Sequence, residues 1–146
     1  MVTPTAARRG AALYLATTAL AVALLLMLTP VFHDGSPDYP AWQVLNWFMA
    51  AGVALIAFAA FRSYRAFGDG ERVSVGYLRS RLASYGGVVL AMLFFWGWLW
   101  TLNPESETGA AVTSHLVYFP VMDALYVVLA LSTARGLWRG RADSGA

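Results

Sequence analysis

Cut at its charged residues, the chain leaves four long stretches, 10–33, 39–61, 82–104 and 108–134, the last interrupted only by Asp123. Each holds at least 23 residues, and about 20 mainly apolar residues at ~1.5 Å rise cross the ~30 Å hydrocarbon core of a bilayer. The pattern predicts an all-α integral membrane protein: a four-transmembrane-helix bundle with helices near 11–29, 42–61, 84–102 and 115–134. A membrane β-barrel would need ~10-residue segments alternating apolar and polar, and the runs 19–28 and 88–95 do not alternate. Charged residues make up 12% of the chain, against about 25% in a soluble domain. All 146 residues therefore read as a single membrane domain whose first partner is the lipid bilayer.

The cationic residues set the expected orientation. All ten are arginines, and they lie at the N-terminus, in the 62–83 loop and at the C-terminus. The 30–41 and 103–114 loops carry Asp34, Asp38, Glu105 and Glu107 instead. Under the positive-inside rule this predicts an N-in/C-in protein of a bacterial-type plasma (inner) membrane, with both termini and the 62–83 loop cytoplasmic. The stretch after Arg8 and Arg9 is longer than the ~7–15 residues of a signal h-region and is followed by no small-x-small cleavage site, so it is expected to be retained. Residues 73–82 suit either a short interfacial helix or a plain extension of the third crossing with snorkelling arginines. A net charge of +2 gives no footprint for nucleic acid, and the lack of cysteine excludes disulfides, thiolate metal sites and Cys nucleophiles.

Lipid offers no hydrophobic drive for helix association, so small residues that admit close backbone approach carry the packing signal. Ala12, Ala16, Ala19 and Ala23 form such a stripe on the first helix and Ala50, Ala54 and Ala57 on the second. Ser84, Gly87 and Ala91 do so on the third, and Ala130 and Ala134 on the fourth. Duplication of a helical hairpin is not expected, because the outer loops share no motif and only the second hairpin contains the intramembrane Asp.

Asp123 is the most informative residue. A carboxyl at that depth costs at least ~2.5–3.5 kcal/mol on insertion scales, so it is expected to face the bundle interior on the stripe of Val127, Ala130 and Ala134. Asn46 lies at a similar depth on the second helix, and the two are expected to form an intramembrane polar pair, serving as a clasp or as a functional site. Trp47, Trp96, Trp98, Tyr118, Phe119 and His115 gather in the outer part of the membrane, as an interfacial belt or as a pocket for a quinone, a pigment or a lipid. Trp96 and Trp98 lie on roughly opposite helix faces, so at least one should face protein. Pro120 withdraws a helix hydrogen bond from the Leu116 carbonyl and is expected to bend the fourth helix. His33 and His115, with Asp34 or Glu107, are the only candidate metal or haem ligands; neither lies inside a helix where a bilayer haem takes its axial ligands, and no metal site is expected.

No phosphate loop, catalytic carboxylate pair, HExxH motif or nucleophile elbow occurs, which disfavours a soluble-type enzyme. The leading reading is an accessory or structural subunit that packs in a larger membrane complex or with copies of itself. The alternative is a proton-linked small-molecule transporter that uses Asp123. A second alternative is a membrane redox or lipid-modifying protein holding a haem or pigment in the outer aromatic pocket. Nothing in the sequence identifies a substrate.

Overall fold

The structure, a computed structural model, describes residues 4–32, 39–66, 75–103 and 114–140. His33, Asp34, Asp38, Glu105 and Glu107 lie outside the described residues, as does the connection 67–74 between the second and third helices. Four helices are each long and apolar enough to cross a membrane: α1 (Pro4–Phe32), α2 (Pro40–Ala66), α3 (Val75–Thr101) and α4 (Phe119–Trp138), the last led by a π-helical turn at Ser114–Tyr118.

Local chemistry explains where the helices begin and how they pass awkward residues. Both α1 and α2 open on a proline, whose fixed φ suits a first helical position and whose missing N–H is not needed there. The third helix starts at Val75, not near 84, so 75–83 is continuous helix and the extension reading holds for those residues. Its Arg81 guanidinium lies over the rings of Tyr64 and Tyr77, 3.7 and 4.9 Å from their centroids, which keeps the charge near water while its stem covers apolar surface. Thr18 and Thr29 turn their hydroxyls back onto the Tyr14 and Leu25 carbonyls of α1, so neither presents an unsatisfied O–H to an apolar neighbour. Ahead of Pro120 the ladder widens into the π turn, which accommodates a ring that would otherwise press on the carbonyl four residues back.

Neighbouring helices in the chain run in opposite directions. The most extensive packing joins α1 to α4 and α2 to α3; α1–α2, α3–α4 and α2–α4 pack more lightly, and α1 and α3 are not neighbours. The bundle is therefore a rhombus with α2 and α4 on its short diagonal. This arrangement relates the hairpin α1–α2 to the hairpin α3–α4 by an approximate two-fold axis, and the buried positions repeat accordingly. Ala12, Leu15, Thr18 and Val22 of α1 have the spacing of Ser84, Gly87, Leu90 and Phe94 of α3. Gly52, Val53, Ile56 and Ala60 of α2 have the spacing of Met122, Asp123, Tyr126 and Ala130 of α4. The repeat that residue identity does not reveal is present in burial.

The small-residue stripes hold for three helices and shift on the fourth. Ala12, Ala19, Ser84, Gly87, Ala130 and Ala134 are buried, but Ala54 is exposed and the inward face of α2 runs instead through Met49, Gly52, Val53, Ile56 and Ala60. The reason is visible at Gly52: a side chain there would collide with the ring and hydroxyl of Tyr126. One glycine gives α2 the close approach that a row of alanines was expected to provide.

Candidate functional site

Tyr126 is fully buried at the centre of the bundle, laid against Gly52 of α2. Its hydroxyl meets Thr18 Oγ1 of α1 at 2.9 Å, with either able to donate. Thr18 also donates toward the Tyr14 and Leu15 carbonyls at 2.9 and 3.2 Å. From α1, Tyr14 Oη donates to the Phe48 carbonyl of α2 at 2.8 Å. Three helices thus converge on three hydroxyls. Tyrosine supplies this joint because its ring fills a glycine notch while its O–H reaches a partner, as a buried phenol must. No sequence motif marked Tyr126; its only signal was its position three residues after Asp123, on the same helix face.

Asp123 lies one turn from Tyr126 and is 3% exposed. It faces the bundle interior, on the stripe of Ala130 and Ala134. Its Oδ1 is buried and accepts no hydrogen bond from any described residue. Asn46 is half-buried on the α2 face that continues through Met49 and Val53. The Gly52–Tyr126 contact sets the register of the parallel helices α2 and α4. Position 53 of α2 corresponds to Asp123 of α4, so Asn46 lies seven residues, about 10 Å, farther than Asp123 from the arginine-bearing end. The structure does not bring the two together, and the Asn46 amide does not donate to Oδ1. The carboxyl is therefore beside a hydrogen-bonded hydroxyl cluster without belonging to it. Leaving such an acceptor unsatisfied costs about 1–3 kcal/mol.

At the tryptophan-rich end, α3 distributes the six aromatic candidates over two groups. Trp98 is 7% exposed and meets Trp47 of α2 edge-on, ring centroids 4.7 Å apart. Trp96 points the other way, is 53% exposed, and packs on Tyr118 at 5.5 Å; Tyr118 in turn touches Phe119, and Phe119 touches His115. Residues two apart on a helix are separated by about 200°, which is why one tryptophan faces protein and the other does not. The Tyr118 hydroxyl donates to the Leu93 carbonyl, and its ring fills the space at Gly97 as Tyr126 does at Gly52. His115 is stacked on Tyr39 with centroids 4.5 Å apart. These rings tie α2, α3 and the π turn together. Among the described residues no three His, Asp or Glu side chains cluster as metal ligands.

Set against known families, curated proteins and solved structures, the chain matches none, so its chemistry rests on the residues described above.

Proposed function

We propose that the protein is a small polytopic membrane protein of a bacterial-type plasma membrane, with both termini cytoplasmic. It works as an accessory or structural subunit in a larger membrane complex or in a homo-oligomer. The observation that carries this reading is the filled interior: Leu15, Val22, Met49, Val53, Ile56, Leu90, Phe94 and Tyr126 are all essentially inaccessible, and glycines bring α2 and α3 hard against tyrosines of the fourth crossing. Such a filled centre suits a subunit whose task is to pack helices. Mild solubilisation followed by mass measurement tests the reading. Additional membrane subunits or a defined homo-oligomer are expected, and a monomer that retains no protein partner overturns it. The chain has no cysteine, so single cysteines at Gly35, Gly109 and Gly70 test orientation cleanly. An impermeant thiol reagent should label the first two from outside intact cells and spare the third.

Asp123 favours a second reading, proton-linked transport. Its buried, unsatisfied carboxyl oxygen is the feature that a purely structural bundle does not explain. In reconstituted vesicles, Asp123→Asn should then fold normally and abolish a pH-dependent flux. Unchanged flux would remove the carboxyl from the mechanism.

A further inference from the structure

The arginine-bearing end holds a cleft that neither reading uses. It measures about 260 Å³ and lies between the first turns of α1 and the last turn of α4. Arg8, Arg9 and Arg139 line it together with Thr5, Leu137, Trp138 and Gly140, and no acidic residue is among its described lining residues. The chain end shapes it. Gly140 has φ +71°, a left-handed conformation that closes α4 and turns the backbone toward the Arg8 guanidinium. Arg9 lies over the Trp138 ring at 5.8 Å. A guanidinium has five N–H donors in a planar fork, so these arginines can keep their contacts within the fold and still present donors to an oxyanion.

We propose that this cleft binds the phosphate of an anionic phospholipid headgroup. The charge calls for an anion, and the fork geometry of arginine matches phosphate oxygens. The volume is below the ~300–1,000 Å³ of pockets for drug-sized ligands, which suits a headgroup better than a whole cofactor. The Leu137 and Trp138 wall continues into the apolar flank of α4, where acyl chains would lie, and tryptophan is at home at this boundary. A soluble phosphate compound would meet the same arginines without using that flank. Basic pockets between crossings at the cytoplasmic surface are a known way of holding such headgroups. The site rests on the membrane placement of the chain and is independent of Asp123.

The test uses the full-length protein reconstituted in vesicles of phosphatidylcholine with phosphatidylglycerol, followed by native mass spectrometry of retained lipid. Flotation with the vesicles first establishes insertion, so a failure of membrane placement is read separately from a failure of the site. Wild type should retain phosphatidylglycerol over phosphatidylcholine, and Arg8→Gln/Arg9→Gln/Arg139→Gln should lower that preference at least about tenfold. The matched control Arg62→Gln/Arg65→Gln/Arg79→Gln removes the same charge from the other side of the same end and should leave most of the preference intact. Equal losses in the two triple variants, or no preference in wild type, would overturn the proposal. Displacement of the retained lipid by excess inorganic phosphate would overturn the lipid assignment and make a soluble phosphate the ligand. Arg139→Gln alone, which disturbs folding least, should reproduce a partial loss.

Discussion

Where α1 and α4 carry Thr18 and Tyr126, α3 and α2 carry Leu90 and Ile56 at the two-fold-related positions, and all four are buried. Where α4 carries Asp123, α2 carries Val53, 1% exposed. The two long seams of the bundle are thus built on one spacing and filled with different chemistry. In the α2–α3 seam small hydroxyls make polar contacts: Ser63 with Ser80 at 3.0 Å, and Ser84 donating to the Ala60 carbonyl at 3.0 Å. The α2–α3 seam closes with Leu90, Ile56 and Val53 at its centre, without a phenol or a carboxyl there. The hydroxyl joint and the carboxyl are particular to the α1–α4 seam, and within it Asp123 Oδ1 has no hydrogen-bond partner among the described residues.

The glycines offer the sharpest way to break the comparison. A Cβ on Gly52 would lie 3.0 Å from two Tyr126 ring carbons, whereas a Cβ on Gly87 would lie 3.5 to 3.9 Å from Ala60, Ile56 and Ala57. Gly52→Ala should destabilise the protein by up to about 3 kcal/mol through overpacking. Gly87→Ala should be neutral or gain up to about 1 kcal/mol from helix propensity. Thermal unfolding in micelles, followed by circular dichroism, measures both, and effects of the same sign would mean that the seams are packed alike. A smaller effect is expected when the carboxyl is replaced by the residue of the other hairpin. Asp123→Val removes an unsatisfied buried acceptor and should stabilise by about 1–2 kcal/mol in the same assay. Destabilisation would show that Asp123 holds the seam and would join it to the hydroxyl cluster after all. Smallest of the three, Tyr126→Phe should cost about 0.6 kcal/mol, the average for an interhelical hydrogen bond in a membrane protein. A cost several times larger would make the Tyr126–Thr18 bond the keystone of the bundle.

Much of this was legible in the residues, for identifiable reasons. Charge is expensive in lipid, so its absence drew four crossings and its single presence marked Asp123 as inward-facing. Proline cannot donate, so Pro120 announced a disturbance, though not that the backbone would meet it by widening into a π turn. The position of Ala54 was misread because alanine is abundant and the true inward face of α2 mixes Met49, Val53 and Ile56 with a single glycine. Tyr126 was missed because a tyrosine in an apolar run has no periodic signature; only its three-dimensional partners, Gly52 and Thr18, give it meaning. The shared spacing of buried positions in the two hairpins was hidden for a related reason. Burial depends on spacing, and the two hairpins keep the spacing while exchanging the residues.

The pairing of α1 with α4 joins elements far apart in the chain, which bears on how the bundle can assemble. Helices enter a membrane in the order in which they are synthesised, yet α1 finds its principal partner in the last helix of the chain and has no contact with α3. Its early neighbour α2 offers it only a light interface and takes α3 as its own main partner. The α2–α3 seam can therefore close while α1 is still held loosely at the edge, with the Thr18 hydroxyl returned to its own helix. Only when α4 arrives is Tyr126 available to donate its hydroxyl to Thr18 Oγ1 and fill the notch at Gly52. Asp123 travels on the same helix and is buried by the same packing, so its carboxyl is enclosed only once α4 has docked.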